Sequence, residues 1–218
     1  MSSTTDEEPD VPVRRRRRPA YRSGRPTLTR EGIAKAALDV LADGGPAGLT
    51  MRAVAARLGV SARALYNYVT DRDSLLQLIV SVSQAARPAA NFDPACWQDS
   101  LRHYCHDLRA WYRAHPGLLA LARAEDLTTF AAPETDKAVV DFFLAIGLSA
   151  EDAYRAWAIT VLQVAGFAEI WDGWHDRPPP GTDPAAWHRH EPATASTEPD
   201  QLFESALDML VAGIAAMR

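Results

Sequence analysis

Residues 50–76 read TMRAVAARLGVSARALYNYVTDRDSLL, and this pattern predicts two short helices about a tight turn, followed by the start of another helix. Thr50 and Ser61 are good N-caps for the two helices, because their side-chain oxygens can accept from early backbone N–H groups. Gly59 suits the left-handed residue that ends a helix. Apolar residues on both sides of the turn are predicted to face the core: Val54, Leu58, Val60 and Leu65.

Two helices joined in this way form a DNA-reading unit when the second helix projects into a major groove. The predicted second helix carries polar and aromatic side chains that can reach bases or phosphates: Arg63, Tyr66, Asn67 and Tyr68. The alternative is a helical hairpin within an all-α core, in which Tyr66 and Tyr68 pack inside the protein. Arg57 is expected on a solvated face.

The distribution of charge agrees with the DNA-binding interpretation. The chain has 218 residues and a formal net charge of −5, but residues 11–72 carry +9, residues 1–10 carry −4 and residues 73–218 carry −10. Such asymmetry indicates that one end binds a polyanion. The basic end coincides with the predicted helical pair, so the two signals support each other.

Residues 1–27 are polar, charged and rich in proline, and we expect them to form a disordered basic arm. The arm contains a run of five arginines: Arg14, Arg15, Arg16, Arg17 and Arg18. Because the run comes just before the DNA-reading unit, it could track phosphates or enter a minor groove. A solvated tail without a specific partner is the alternative.

The rest of the chain predicts an all-α protein. We expect helices over residues 71–87, 94–114, about 117–125, 134–146, 150–171 and 200–217, with a proline-containing loop over 173–198. Cys96 and Cys105 are not expected to form a disulfide, which fits a reducing cytoplasm. No apolar run reaches the length of a membrane span.

The same residues carry a resemblance to a known family. Residues 55–61 (AARLGVS), 65–68 (LYNY), 73–76 (DSLL) and the preceding helix at 28–38 (LTREGIAKAAL) resemble the N-terminal domain of the TetR family of repressors. The resemblance implies a DNA-binding domain at 28–72, an effector-binding and dimerisation domain at 73–218, and a homodimer that a ligand releases from a palindromic operator. A constitutive DNA-binding protein without an effector is the alternative.

The resemblance also implies roles for individual residues. It assigns phosphate contacts to three positions: Thr50, Tyr66 and Arg72. Arg52 would read a guanine, and Ala62 and Arg63 would open the recognition helix, where base contacts concentrate. Tyr68 stands where the family usually has histidine or tyrosine, and Thr70 stands where it often has lysine.

The C-terminal half resembles the tetracycline-repressor branch at Trp97-Gln98-Asp99, His115-Pro116, Gly147-Leu148-Ser149 and Gly166-Phe167. This implies a dimer interface on the eighth and last helices. The last helix has a broad apolar stripe that fits such an interface: Leu202, Phe203, Ala206, Leu207, Leu210, Val211, Ile214 and Ala215. Burial within one subunit is the alternative.

If the protein is a sensor, its helices should enclose a mostly apolar pocket for a small hydrophobic effector. The candidate lining residues are Tyr104, Leu108, Trp111, Phe130, Trp157, Phe167 and Trp171. Aromatic residues at helical spacing also commonly form plain core, which is the alternative for each of them.

We expect no metal or cofactor. The positions that match the metal-binding histidine and acidic residue of the tetracycline repressor are Ala122 and Ile170, so its tetracycline–magnesium site does not carry over. His103 and His106 share a helix face but have no evident third ligand, so we interpret them as a surface pair. No glycine loop, metalloprotease helix or nucleophile elbow suggests an enzyme.

Overall fold

The structure is a computed structural model that describes residues 28–125, 133–176, 183 and 198–218. Within these ranges the chain is helical and contains no strand, which confirms the all-α prediction. The helices are α1 (Arg30–Gly48), α2 (Met51–Arg57), α3 (Ala62–Leu65), α4 (Arg72–Ala85), α5 (Trp97–Ala114), α6 (Leu118–Ala124), α7 (Pro133–Ala145), α8 (Ala150–Gly166), α9 (Gly173–Asp176) and α10 (Pro199–Met217). Among the residues described, none of the helices combines the length and apolar character that crossing a membrane requires.

Helix α1 is the common packing partner of the N-terminal helices. It contacts α2, α4 and α6, and its inner face is fully buried at Ile33, Ala34, Ala37 and Leu41. Small alanine side chains on this face let neighbouring helices approach closely. Regular helix ends at Gly45, whose φ of 61° lies in the region that favours glycine, and Pro46 follows it.

The connection between α5 and α6 is held close to α1. Gly117 has a φ of 79°, and a Cβ atom at this position would lie 3.2 Å from Cγ of Leu41. Only glycine combines that conformation with that approach. This contact ties the start of α6 to the N-terminal helices.

The structure differs from the sequence-based prediction of where the eighth helix ends. We expected it to stop at Trp171, but α8 continues through a π-helical turn at Phe167–Asp172 into α9, which ends at Asp176. Residues 173–176, which we expected in the loop, are therefore helical, and most of the remaining predicted loop lies outside the described residues. Gly173 itself has helical backbone angles, with φ −59° and ψ −40°.

A buried ion pair accounts for the inward position of the π-helical turn. Arg109 on α5 donates from Nε and Nη2 to the two carboxylate oxygens of Asp172, at 2.7 and 2.6 Å. The two side chains are only 5% and 1% exposed. Burial alone would lower the pKa of Arg109, but its hydrogen bonds and the charges of Asp172 and Asp200 raise that pKa above its usual value.

The Arg109 guanidinium has further partners. It lies 4.4 Å from the ring centroid of Phe203 on α10, and its Nη1 is 3.0 Å from Asp200, whose side chain is 85% exposed. The pair therefore joins α5, the π-helical turn and α10 at one point. Such a bidentate pair is stable in the interior because both charged groups are matched.

The cysteines do not form a disulfide, as expected. Cys96 is exposed in a short 3₁₀ turn at Pro94–Cys96, whereas Cys105 is buried on α5. Burial raises the pKa of the Cys105 thiol to about 12, so this residue behaves as a small apolar side chain.

Replacing Asp172 with alanine should lower the free energy of unfolding by about 3–5 kcal/mol, because Arg109 would remain buried without its main partner. The matched change Asp200→Ala removes an exposed carboxylate from the same guanidinium and should cost about 1 kcal/mol or less. Urea unfolding at one fixed protein concentration would measure both. Equal costs for the two variants would contradict the structural role given to Asp172.

Candidate DNA interface and effector region

The turn between α2 and α3 is built by local hydrogen bonds, as the sequence predicts. The Thr50 hydroxyl accepts from Ala53 N at 3.1 Å, and the Ser61 hydroxyl accepts from Ala64 N at 3.2 Å. Gly59 adopts a φ of 65°. Each capping hydroxyl keeps its own proton, which it can donate to an acceptor outside the protein.

The helical pair has one buried and one exposed side. Val54, Ala55, Leu65 and Val69 are buried against α1 and its neighbours, while Leu58 and Val60 are partly buried. The candidate DNA contacts lie on the other side and are exposed: Thr50, Arg52, Ser61, Arg63, Tyr66, Asn67 and Tyr68. Ala62, at the start of α3, is partly exposed.

The two tyrosines face solvent and do not pack in the core. Tyr66 is 49% exposed and Tyr68 is 39% exposed. Helix α3 itself is a single turn. The chain then continues in further turns, in which the backbone N–H groups of Tyr68 and Val69 both donate to Leu65 O. This arrangement presents both phenol groups at the surface next to Arg63.

The cations of the helical pair fall into two groups. Arg52 and Arg63 form no ion pair with the residues that the structure describes. Arg57, in contrast, pairs with Asp43 and lies 3.8 Å from Asp39, both on α1. Arg52 and Arg63 are therefore the cations on this surface that are available to an external anion.

Arg72 falls between these two groups of cations, because it has partners within the protein but stays partly exposed. At the start of α4, it donates to the backbone oxygen of Leu49 and forms a 2.5 Å ion pair with Glu125, just after α6. Its side chain is still 40% exposed. The residue that the resemblance assigns to a phosphate thus also connects the helical pair to α6.

Three of the candidate effector-lining residues form one buried face of α5: Tyr104, Leu108 and Trp111. Trp157 and Trp171 are partly buried on α8 and the π-helical turn. Phe167 packs elsewhere, with its ring 5.2 Å from that of Phe203 and 5.5 Å from the Arg109 guanidinium. Phe130 and the run Arg14, Arg15, Arg16, Arg17 and Arg18 lie outside the described residues.

Two polar residues beside this face were missed from the sequence. Ser83 on α4 is fully buried, and its backbone oxygen accepts from Trp111 Nε1 at 2.9 Å. The Arg87 side chain is 7% exposed, lies 5.8 Å from the Trp111 ring and donates to Asp136 at 3.3 Å. The sequence predicts Arg87 only as the last residue of a helix before Pro88, and no local pattern shows that its side chain turns inward.

A separate cleft of about 270 Å³ lies between α1 and the C-terminal helices. Its lining is polar and apolar in about equal parts and includes Tyr112, Arg113, Glu169, Asp172 and Asp176, but none of the candidate effector residues. Burial raises the pKa of Glu169, which the charge of Arg123 partly opposes. Arg113 and Asp176 form an ion pair across it at 2.9 Å.

The histidine pair on α5 is exposed. His106 Nε2 lies 2.7 Å from a carboxylate oxygen of Glu204 on α10, and His103 Nδ1 lies 3.1 Å from its own helix backbone at Asp99. Within the described ranges, no group of three or more potential ligands is arranged to hold a metal ion.

Comparison with known proteins identifies both halves of this architecture. Residues 33–79 match the sequence model of the family described as bacterial regulatory proteins, tetR family. Residues 90–191 match the model described as the tetracyclin repressor-like C-terminal domain. Together the two matches span the helical pair and most of the C-terminal helices.

Individual proteins give the same result. The transcriptional repressor DrrR1 of Streptomyces coeruleorubidus is 31% identical over 61% of this chain, an alignment that spans 49% of DrrR1. The class C tetracycline repressor of Escherichia coli is 29% identical over 88% of this chain and 92% of its own length. The solved structure of ActR of Streptomyces coelicolor, a TetR family protein in complex with actinorhodin, superposes with a TM-score of 0.63 at 23% identity, over 88% of this chain and 98% of ActR. The chain belongs to the TetR family of DNA-binding transcriptional regulators.

Proposed function

We propose that the protein is a homodimeric, ligand-responsive repressor that binds a palindromic operator in the cytoplasm and is released by a small molecule. The observation that carries the proposal is the exposed side of α2 and α3, where Arg52, Arg63 and Tyr66 stand opposite a fully apolar inner side. DrrR1 and the class C tetracycline repressor are named repressors, and ActR has been solved with actinorhodin. Residues 28–72 would form the DNA-binding domain and 73–218 the effector-binding and dimerisation domain.

In this proposal α3 enters the major groove. Arg63 would read base edges, and Arg52 would grip a guanine from the start of α2. The hydroxyls of Thr50, Ser61 and Tyr66 would donate to phosphates and position the helix. The arginine run at 14–18 would add phosphate contacts that carry no sequence information.

An exposed apolar face supports the dimer. Tyr154 and Leu162 on α8 are 61% and 71% exposed, and Met209 on α10 is 71% exposed. Gln163 donates to Ala206 O at 2.8 Å, which holds the two helices side by side. Large exposed apolar side chains on adjacent helices are typical of a protein interface.

The apolar stripe predicted on the last helix divides between two roles. Phe203, Leu207, Leu210 and Ile214 are buried within the subunit, so burial within one subunit is correct for these four. Met209, which lies outside the predicted stripe, is exposed. The proposed dimer face therefore consists of the outer side of α10 together with α8.

The ion pair of Arg72 with Glu125 would couple the C-terminal helices to the DNA-binding helices. Glu125 follows α6, which also packs on α1 through the Gly117–Leu41 contact. A ligand that shifts α6 would pull on α4 and α1, and so change the separation of the two recognition helices in the dimer. By thermodynamic linkage, such a ligand lowers the affinity for DNA by the same factor by which bound DNA lowers the affinity for the ligand.

Selection of bound duplexes from a random pool tests the DNA-binding function. We expect enrichment of a palindrome whose half-sites lie about one helical turn or a multiple of it apart. Should the purified protein enrich no duplex even at low salt, the proposal would be overturned.

Arg63→Ala should cost about 1 to 3 kcal/mol of operator affinity and relax the sequence preference at one position of each half-site. Tyr66→Phe should weaken binding to all sequences alike, because it removes a phosphate contact. Arg57→Ala is the charge-matched control, since Arg57 is paired with α1. Competition binding with operator and scrambled duplexes measures all three, and an unchanged preference for Arg63→Ala would remove it from base readout.

Glu125→Gln should strengthen DNA binding at low salt, because it frees the Arg72 guanidinium from its carboxylate. The slope of log K against log salt should steepen by roughly 1 per protomer, the contribution of one added phosphate contact. The control is Glu204→Gln, which removes a carboxylate that pairs with Arg102 and His106 and not with Arg72. The same slope in both variants would show that Arg72 does not reach a phosphate.

Leu162→Glu should raise the dimer dissociation constant at least about tenfold, since a carboxylate buried in an interface costs well over 1.4 kcal/mol. The affinity for DNA should fall as the dimer dissociates. Leu144→Glu, a change at a leucine that is 41% exposed on α7, is the matched control. Sedimentation equilibrium would measure the constant, and an unaltered dimer in Leu162→Glu would place the interface elsewhere.

A further inference from the structure

The cleft beside α1 has walls from the N-terminal and the C-terminal helices. Ala42 of α1 forms one side, the end of α5 and the residues before α6 form the second, and the π-helical turn with α9 forms the third. The candidate effector residues Tyr104, Leu108 and Trp111 lie outside it. An occupant of this cleft would therefore touch α1 itself, which packs on α2 and α4.

The charged groups that line the cleft are unevenly matched. Asp172 is bound by Arg109, whose Nε and Nη2 lie 2.7 and 2.6 Å from its carboxylate oxygens, and Asp176 is bound by Arg113 at 2.9 Å. Glu169 also lines the cleft, but it forms no ion pair with the residues that the structure describes. One carboxylate of the cleft is therefore left without a bound cation.

The surroundings of Glu169 do not fully replace the missing cation. Its side chain is partly buried, and burial raises the pKa of its carboxyl group. The charge of Arg123, whose side chain is exposed on α6, and the backbone N–H of Ala120 oppose this rise without cancelling it. A cation that entered the cleft would offset the remaining cost of holding this carboxylate away from water.

The rest of the lining decides what kind of cation fits. Ala42, Pro116 and Ala168 are apolar, and the partly buried ring of Tyr112 can pack against a cation or a small apolar group. No group of three potential metal ligands is arranged to hold an ion among the residues that the structure describes. The volume of about 270 Å³ lies near the lower end of the range for small-molecule sites. These features fit an organic ammonium ion with a small apolar body.

We propose that the cleft is a second ligand site, separate from the effector face of α5, and that it takes a small organic ammonium ion. The ammonium group donates to the Glu169 carboxylate, and the apolar body packs against Ala42, Ala168 and the Tyr112 ring. Because α1 forms one wall and packs on α2 and α4, occupation of the site changes the affinity for the operator. This regulatory effect rests on the function proposed above, whereas binding of the cation does not.

Ligand-observed NMR titrations of the full-length protein test the site. The probes are benzylamine and cyclohexylamine, which are cations at neutral pH, and benzyl alcohol, which is the neutral counterpart of benzylamine. We expect at least one amine to bind with a dissociation constant of about 1 mM or lower, as is ordinary for a ligand of this size. It should bind at least about tenfold more tightly than benzyl alcohol, because the alcohol forms no charge-assisted hydrogen bond. Binding of neither amine, or equal binding of benzyl alcohol, would overturn the proposal.

A matched pair of substitutions locates the bound amine. Glu169→Gln keeps the shape of the side chain but removes its charge, so it should weaken amine binding at least about tenfold. The control is Glu151→Gln, which removes an exposed carboxylate that pairs with Arg155 on α8, and it should bind the amine as the parent protein does. Equal losses in the two variants, or no loss in Glu169→Gln, would place the amine elsewhere and overturn the assignment.

A further variant should change the affinity in the opposite direction. Arg123→Ala removes the cation that acts on Glu169 from α6, so the amine should bind about two- to threefold more tightly. A gain in affinity does not arise from misfolding, so this variant remains informative even if Glu169→Gln is less stable. Unchanged or lower affinity in Arg123→Ala would show that the amine does not bind at Glu169.

Operator binding separates this inference from the proposed function. The affinity for the selected operator is measured with and without a saturating concentration of the amine that binds, and we expect it to change at least about threefold. Glu169→Gln should show no such change, which also controls for the added salt. Amine binding that leaves the operator affinity of the parent protein unchanged would remove the regulatory role. Failure to bind any operator without amine would instead overturn the proposed function, while the amine titrations would still decide whether the site exists.

Discussion

The packing of α1 constrains every other part of the N-terminal region. Its inner face is fully buried and is shared by α2, α4 and α6, so the orientation of the helical pair and the position of α6 are set against one surface. Close-packed interiors transmit displacement because they contain few voids. The contact of Gly117 with Leu41 and the ion pair of Arg72 with Glu125 lie at the two ends of α6. A displacement of α6 would therefore reach the DNA-reading helices through packed contacts.

The C-terminal helices contain two buried polar groups that differ in their degree of satisfaction. Arg109 is fully matched by Asp172 and Asp200 and is covered by the Phe203 ring, so it stabilises the join between α5, the π-helical turn and α10. In contrast, Ser83 Oγ and Arg87 Nε are buried without a hydrogen-bond partner among the residues that the structure describes. The first arrangement is what structural stability requires of a buried charge.

Much of the fold follows from local patterns in the chain. Thr50, Ser61 and Gly59 predicted the helical pair correctly, because capping and left-handed turns involve atoms only a few residues apart. The predicted end of the eighth helix was wrong because the chain continues in helical form past Asp172, where Arg109 from a distant part of the sequence holds the chain inside the protein. The candidate effector face at Tyr104, Leu108 and Trp111 was found from helical spacing. Ser83 and Arg87 were not, since a polar residue at the end of a helix usually faces water.

The amino-acid sequence by itself determined the helix-turn-helix, its basic charge and its family, since caps, apolar spacing and net charge are properties of short segments. Tertiary packing alone decided which polar side chains have partners. Arg72 meets Glu125, Arg109 meets Asp172, and Tyr104 comes beside Arg87 only because α4, α5, α6 and the π-helical turn are brought together. The physical reason is that a charge or donor interacts over a few ångströms in space, and residues on different helices reach that distance only when the helices pack.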